Sequence, residues 1–337
     1  MTRPPLHSSA SPAPGVRAWA DVLEHAIASH RQGRWMDAEE GGRKAVELAR
    51  ALPDSDGPEN LVASLNLLGA ILQGLGRAAD AIPLYREALA LAIEARARVV
   101  AMANLGSAER EVGQSAHAEA HLTSALALAK GEVPDEVPGL LDKLGRVLHQ
   151  TNRRTEALAA FAERVTLTSM TDQGGQPSEE HLDALFHLAA AEASEGRHAE
   201  ASSHYADLAE KLSLRGERHS LGRAQALTGL ALAEQACARY PQAVAAAREA
   251  LIVRESVLGR EHPELLSAKH NLAHVLLASG KAREAEPLAR EVVAAARERF
   301  PAEDGRLQAA MVVLAGVLER TGRLREAVNL RKQLSNS

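Results

Sequence analysis

The sequence predicts an all-α fold, a solenoid of about eight helix-turn-helix repeats. A short pattern recurs eight times: a small residue is followed seven residues later by a turn residue and, after five more, by an alanine. Hydrophobic residues make up 46% of the chain but aromatic residues only 2%, so the core must be assembled from Ala, Leu and Val. Alternating runs of strand-forming residues between tight turns do not occur, which argues against a β architecture.

Each position of the pattern has a physical role. Small residues let the two helices of a hairpin approach closely, and glycine at the turn takes the positive φ that ends a helix. The small residues are Ala26, Gly69, Gly106, Gly145, Ala189, Ala231, Ala273 and Ala315, the turn residues Gly33, Gly76, Gly113, Asn152, Gly196, Ala238, Gly280 and Gly322, and the alanines Ala38, Ala81, Ala118, Ala157, Ala201, Ala243, Ala285 and Ala327.

One turn is expected to differ from the others. Asn152 can take the left-handed conformation, whereas Ala238 pays a steric cost there. The turn in ACARYPQA is therefore predicted to end its first helix differently, with Pro241 opening the second helix.

The order of elements along the chain follows from the turns, which are 37 to 44 residues apart, enough for one hairpin and one connection per repeat. Residues 1–16 hold four prolines and no apolar stretch, and are predicted to be a disordered lead-in without a secretory signal. Residues 17–337 are predicted to form one continuous solenoid. If it contains a discontinuity, residues 168–179 are the expected place, because they form the longest breaker-rich connection.

Charge and cysteine content narrow the class of protein. A formal net charge of -5 argues against a general nucleic-acid binder. The single cysteine excludes an intramolecular disulfide framework and fits a reducing compartment. No run of eighteen apolar residues occurs, which argues against membrane insertion. The expected location is the cytoplasm.

The three-position pattern resembles the tetratricopeptide repeat family, which carries small residues and alanines at these offsets. The segment EALIVRESVLGREHPELLSAKHNLAHVLLASGKAREAEPLAREVV is similar to the 42-residue variety found in kinesin light chain and its bacterial relatives. Its LG-x-x-HP loop is formed by Leu258, Gly259, His262 and Pro263. The resemblance implies a right-handed superhelix of hairpins that binds proteins or peptides.

The resemblance also implies a groove. In the family, the first helices of successive repeats line the concave face, and fixed positions around the small residue project toward it. Those positions hold mainly polar residues in this chain, namely Asn66, Gln73, Asn104, Ser107, Arg110, Lys143, Arg146, His149, His187, Thr228, Gln235, His270, Asn271 and His274.

Two asparagines are the leading candidates within this groove. Asn104 and Asn271 occupy the place of the Asn that relatives use to hold a bound peptide's backbone, and an amide both donates and accepts. The alternative is that they bridge neighbouring helices. Arg110, Lys143 and Arg146 suit a carboxylate or an acidic side chain, although the neighbouring acidic residue, Asp142, would partly neutralise them.

The same residues argue against catalysis and metal binding. His270 and His274 lie four residues apart, but a zinc site needs three or four converging ligands, and HNLAH lacks the glutamate of HExxH proteases. No phosphate-binding glycine loop or nucleophile–base arrangement can be assigned. The chain is therefore not expected to be an enzyme, nor to hold a metal or cofactor.

The principal hypothesis is a cytoplasmic interaction scaffold that binds an extended or helical segment of a partner protein in its groove. The alternative is a regulatory module that senses a peptide or metabolite. Trp19 and Trp35 are expected to cover the first layer of the array, or else to form a homodimer contact through the terminal repeats.

Overall fold

The computed structural model describes residues 13–53, 55, 57–170, 177–259 and 262–335. These residues form sixteen α-helices and two short 3-10 segments, Pro134–Glu136 and Glu217–His219. The helices are α1 (Pro14–Arg31), α2 (Trp35–Arg50), α3 (Gly57–Gly74), α4 (Ala78–Leu91), α5 (Ala95–Glu111), α6 (Ser115–Glu132), α7 (Val137–Gln150), α8 (Arg154–Met170), α9 (Glu179–Ser194), α10 (His198–Leu214), α11 (Ser220–Ala236), α12 (Tyr240–Leu258), α13 (Leu265–Ala278), α14 (Ala282–Arg299), α15 (Gly305–Arg320) and α16 (Leu324–Ser335).

The helices pair into eight hairpins, in which each odd-numbered helix is the first helix of its repeat. The predicted all-α array of eight helix-turn-helix repeats is therefore confirmed. The chain divides into two compact units, with the boundary between Arg164 and Val165. Within the first unit α3 contacts α5 and α5 contacts α7, and within the second α11 contacts α13 and α13 contacts α15. First helices thus adjoin one another along each unit.

Two predicted boundaries can be placed against the structure. Helix α1 begins at Pro14, inside the predicted lead-in, because proline suits the first turn of a helix. The remaining lead-in residues, 1–12, lie outside the described residues. So do residues 171–176 of the predicted discontinuity, which stays a prediction.

The eight turns share one backbone conformation. All eight turn residues have positive φ, from 57° at Ala238 to 81° at Gly322. At Gly113 the turn donates its N–H to the carbonyl of Arg110 at 3.1 Å, and the next N–H bonds to the carbonyl of Glu109 at 2.8 Å. These two hydrogen bonds satisfy the last carbonyls of the first helix.

The expectation for Ala238 is wrong. The turn at Ala238 makes the same two bonds as the glycine turns: the N–H of Ala238 donates to the carbonyl of Gln235 and the N–H of Arg239 donates to the carbonyl of Glu234, at 2.9 Å each. The packing of α11 on α12 holds the alanine in the left-handed region despite the steric cost of its Cβ. Pro241 does occupy the first turn of α12, as expected.

Large side chains of the second helix explain why the first position of the repeat pattern holds a small residue. A Cβ at Gly69 would lie 2.5 Å from the ring of Tyr85, and one at Gly145 would lie 2.7 Å from the ring of Phe161. The eight repeat alanines complete this interface, since each is at most 1% exposed. Close packing at these places leaves no room for a larger residue.

Three hairpins bury a glutamate at the same position of their first helix, and in two of them a histidine of the second helix contacts it. Glu109 lies 2.8 Å from Nδ1 of His121, and Glu192 lies 2.7 Å from Nδ1 of His204. Both glutamates are at most 5% exposed at the side chain. Each of these two carboxylates therefore has a hydrogen-bond partner on the second helix of its own repeat.

The first repeat carries both tryptophans of the chain. Nε1 of Trp19 donates to Oγ of Ser64 on α3 at 2.8 Å. The ring of Trp35 packs on Gly74, where a Cβ would lie 2.3 Å away, and edge-on against His30 at 5.3 Å. Both tryptophans therefore pack against the second repeat, and their predicted covering of the first layer stays a prediction.

Among the helices that the structure describes, none combines the length and the apolarity that crossing a membrane requires.

Candidate functional site

In the first unit, the predicted groove residues of α3 and α5 bond to one another. Nδ2 of Asn104 donates to Oδ1 of Asn66 at 3.2 Å. Two helical turns further along, Oε1 of Gln73 accepts from the Tyr85 hydroxyl at 2.6 Å, and its Nε2 donates to Glu111 at 3.2 Å. Asn104 thus makes the helix-bridging contact that was the alternative to peptide binding, while its own Oδ1 is left available.

The predicted basic residues come together between α5 and α7. The charges of Arg110 and Arg146 both act on Lys143, together with those of Asp142 and Glu111. Desolvation is the largest cause that lowers the pKa of Lys143, and the two guanidinium groups lower it further. The cluster formed by Arg110, Lys143 and Arg146 is called the basic cluster below.

Acidic neighbours neutralise only part of the basic cluster. Asp142 accepts from Arg146 at 2.7 Å and from Arg164 at 3.0 Å, so its carboxylate is shared between two cations. Glu111 lies 3.8 Å from Arg110. Within the described part of the chain, no hydrogen bond or ion pair engages the half-buried ammonium of Lys143. A half-buried cation without a partner favours binding of an external anion.

In the second unit, two predicted groove residues line a cavity of about 510 Å³. The cavity is bounded by the beginning of α13, the end of α14 and the beginning of α15. Apolar groups form much of its wall, from Leu266, Val292, Ala296, Phe300 and Ala309. We call it the α13–α15 cavity.

Polar groups of α13 border this cavity. His270 and Asn271 both line it, and in the described residues neither side chain has a hydrogen-bond partner. Burial, followed by the charge of His274, lowers the pKa of His270. The imidazole is therefore held in its neutral form, in which one ring nitrogen donates and the other accepts.

Charged residues also line the α13–α15 cavity. Arg306 lies over the ring of Phe300, 3.7 Å from its centroid, and pairs with Asp304 at 2.7 Å. Arg299 and Glu264 line the cavity as well, and neither takes part in an ion pair among the described residues. Among the described residues, the cavity therefore presents a cation and an anion that form no direct ion pair, beside an apolar wall, with the charge of Arg254 acting on Glu264.

The other predicted residues of the second unit do not line the α13–α15 cavity. His187 lies 3.6 Å from Asp183, one turn earlier on α9. Thr228 donates to the carbonyl of Ala224 at 2.8 Å and accepts from Arg254 at 2.9 Å. Oε1 of Gln235 is buried without a hydrogen-bond partner in the part of the chain that is described.

Two further residues of the first unit complete the predicted set. Ser107 donates to the carbonyl of Ala103 on its own helix at 2.8 Å, which turns the hydroxyl toward the backbone. His149 lies exposed on the last turn of α7.

Sequence reasoning missed the residues of the cavity wall that come from α14 and α15. The predicted groove residues all occupy fixed positions on first helices. Val292, Ala296 and Arg299 lie on a second helix, and Phe300 follows it in the connection. Nothing in the repeat pattern marks the ends of second helices, so only the three-dimensional arrangement reveals the cavity.

The sequence matches the family model of the tetratricopeptide repeat over residues 17–94, 60–131 and 222–298. These segments together span more than half of the chain. The chain therefore belongs to the tetratricopeptide repeat family, as its three-position pattern predicts. No curated protein sequence gives a significant match.

Solved structures share the fold at low sequence identity. The structure of RapI in its apo form matches with a TM-score of 0.74 and 12% identity, over 95% of this chain and 87% of that one. A protein from Podospora anserina with nearly identical TPR-like repeats of the kinesin light chain type matches with a TM-score of 0.51 and 24% identity, over 58% of this chain and 92% of that one. The apo quorum sensor NprR from B. thuringiensis matches with a TM-score of 0.54 and 12% identity, over 95% of this chain and 98% of that one.

Proposed function

We propose that this chain is a non-catalytic binding module that holds an extended or helical segment of a partner protein on the face formed by its first helices. The observation that carries the proposal is the basic cluster, where the Lys143 ammonium is half-buried and forms no hydrogen bond or direct ion pair among the described residues, although Asp142 and Glu111 lie near enough for their charges to act on it. An acidic side chain of a partner segment would supply a direct ion pair. We therefore expect the preferred segment to be acidic.

The construction of the first unit supports this proposal. The side chains of the basic cluster project from helices whose opposite sides pack into an alanine- and leucine-rich core. Rigid helices hold these groups in place before binding, so little conformational entropy is lost when a segment docks. A cytoplasmic location is part of the proposal and rests on the single cysteine.

A second candidate is a module that senses a peptide or a metabolite. The α13–α15 cavity favours it, because its volume lies within the range of roughly 300–1,000 Å³ that is typical of small-ligand sites. The likeness in fold to the quorum sensor NprR agrees with this candidate.

Selection from a random peptide library displayed on phage tests the principal proposal. The full chain should enrich peptides rich in Asp and Glu, and Lys143→Met should lose that enrichment because it removes the unpaired charge at nearly constant size. The control is Lys44→Met, which changes an exposed lysine on α2 and should select the same peptides as the unmodified chain. Equal enrichment by the Lys143→Met variant would contradict the proposal.

A further inference from the structure

The α13–α15 cavity has the dimensions of a very short peptide. The cube root of its volume of about 510 Å³ is about 8 Å, and an extended dipeptide spans about 7 Å. The cavity is partly open to solvent, so a dipeptide would fill it, whereas a long polypeptide segment would extend beyond it. The size alone therefore separates this cavity from a surface that holds part of a partner protein.

The polar groups of the cavity match both ends of such a ligand. Arg299 offers a guanidinium and Glu264 a carboxylate that form no direct ion pair among the described residues, either with each other or with another group, although the charge of Arg254 acts on Glu264. Arg306 adds a second cation, but Asp304 already pairs with it. A zwitterion places one charge opposite each unpaired group, which neither a simple anion nor a simple cation does.

The remaining wall matches the middle of the ligand. Asn271 offers an amide that can bond to a peptide group in both directions, and the neutral imidazole of His270 offers one donor and one acceptor. Apolar side chains of the ligand would pack against Val292, Ala296 and Phe300. Burying apolar surface there supplies the larger share of the binding free energy.

We infer that the α13–α15 cavity is a binding site for a short apolar peptide of dipeptide size that has a free ammonium and a free carboxylate. Arg299 binds the carboxylate, Glu264 binds the ammonium, and Asn271 bonds to the peptide group between them. The site goes beyond the proposed partner-binding face, because an internal segment of a protein has no free termini. The two sites also rely on different charged residues.

Isothermal titration of the full chain with leucyl-leucine tests the inference. The free dipeptide should bind, and N-acetylation or C-amidation should each weaken binding by about tenfold or more, because each removes one charge-assisted bond. Glycyl-glycine should not bind, since it lacks apolar side chains. Absence of leucyl-leucine binding would overturn the inference, as would equal binding of the capped forms. Equal binding of free leucine would overturn the assignment to a peptide.

Variants connect the binding to the named residues. Arg299→Gln should abolish the preference for the free carboxylate over the amide, and Glu264→Gln the preference for the free ammonium over the acetylated form. The matched control is Arg283→Gln, which removes the same charge from the other end of α14, outside the cavity. Ala309→Phe, at an exposed position of the wall, should block the cavity and abolish binding. Unchanged binding by Arg299→Gln and Ala309→Phe would overturn the inference.

Two crossed measurements separate this inference from the proposed function. Lys143→Met should leave leucyl-leucine binding unchanged, and Arg299→Gln should leave the phage selection of acidic peptides unchanged. Loss of leucyl-leucine binding in Lys143→Met would count against a separate site in the cavity. Failure of the titration with a successful phage selection would overturn the dipeptide site alone.

Discussion

At the scale of single residues, Lys143 combines a desolvated charge with the absence of a direct hydrogen bond or ion pair in the described part of the chain. Burial, with smaller contributions from Arg146 and Arg110, lowers the pKa of this lysine in the folded chain. The folded protein therefore holds the proton less tightly than the unfolded chain does. Such a residue costs folding free energy and is the kind of place where function and stability conflict.

The sign of the pH dependence follows from this difference. Because the unfolded chain binds more protons, the free energy of unfolding should rise with pH between the lowered pKa and the ordinary value of 10.5. We expect Lys143→Met to be more stable than the unmodified chain near neutral pH, and the advantage should shrink as the pH approaches that value. Urea unfolding at several pH values measures the difference in the free energy of unfolding between the two proteins.

The matched variant for this measurement is again Lys44→Met. Its difference in stability from the unmodified chain should not follow the same pH trend, since Lys44 is exposed and pairs with Glu47 on the helix surface. An advantage of Lys143→Met that stayed constant with pH would show that desolvation of the charge is not the cause.

Gly69 shows how one missing methyl group fixes the packing of a hairpin. We expect Gly69→Ala to lower the free energy of unfolding by about 1–2 kcal/mol, because overpacking costs roughly 1–3 kcal/mol and the better helix propensity of alanine returns up to about 1 kcal/mol. The new Cβ would lie 2.5 Å from the Tyr85 ring. The shift in the urea midpoint measures the change.

The control for Gly69 is Gly139, near the beginning of α7, where a Cβ would meet nothing within 4 Å. Gly139→Ala should be neutral or stabilise the chain by up to about 1 kcal/mol, from helix propensity alone. If both substitutions had the same effect, the packing explanation for the small position would be incorrect.

At the scale of the helix and the turn, the same hairpin geometry is reached by different residues. Seven turns use glycine or asparagine, which tolerate positive φ, and one uses Ala238 at 57°. Tertiary packing of α11 and α12 imposes the conformation there. The repeat is therefore defined by its backbone and its interface more strictly than by its turn residue.

Ala238 should consequently be a place where the chain can be stabilised. We expect Ala238→Gly to raise the free energy of unfolding by about 1 kcal/mol, because it removes the Cβ penalty of the left-handed region. The reverse change at the equivalent turn, Gly280→Ala, should lower it by a similar amount, since nothing lies within 4 Å of the new Cβ to add a clash. Thermal or urea unfolding compares the two; a loss of stability in Ala238→Gly would contradict this account.

The sequence predicted the elements well because each repeat encodes them locally. The alanine of every repeat is buried and every turn residue has positive φ, as the pattern requires. The neighbourhood of Arg110, Lys143 and Arg146 also followed from their positions on adjacent first helices. The α13–α15 cavity could not be predicted from the sequence pattern, because Phe300 and Arg299 reach it from the end of a second helix. Likewise, the Asn66–Asn104 bond depends on the stagger between α3 and α5, which a repeat length does not fix.

At the scale of the whole molecule, each of the two compact units contains hydrophobic clusters of its own residues. One cluster of the first unit extends from Val46 to Ala108, and the clusters of the second unit run from Leu182 to Leu330. In a repeat protein, each repeat depends mainly on its neighbours, so a local change should weaken nearby repeats first.

Hydrogen exchange can check this dependence. In Gly69→Ala, backbone amides of α2 to α5 should exchange faster than in the unmodified chain, whereas amides of α11 to α15 should keep their rates. Mass spectrometry of peptic fragments gives the spatial pattern. Uniform acceleration across the chain would mean that the sixteen helices unfold as one cooperative body.

The left-handed turn at Gly113 has a further consequence, which concerns chirality. A side chain there would meet no neighbour within 4 Å, so only the handedness of the α-carbon limits what the turn accepts. A D-amino acid prefers the positive φ that Gly113 adopts, since it is the mirror image of an L-residue. D-alanine introduced at Gly113 by chemical ligation would therefore fit the turn and restrict the unfolded chain, as the replacement of a glycine by a conformationally compatible residue does. The glycine turns of this array are thus suitable positions for D-amino acids.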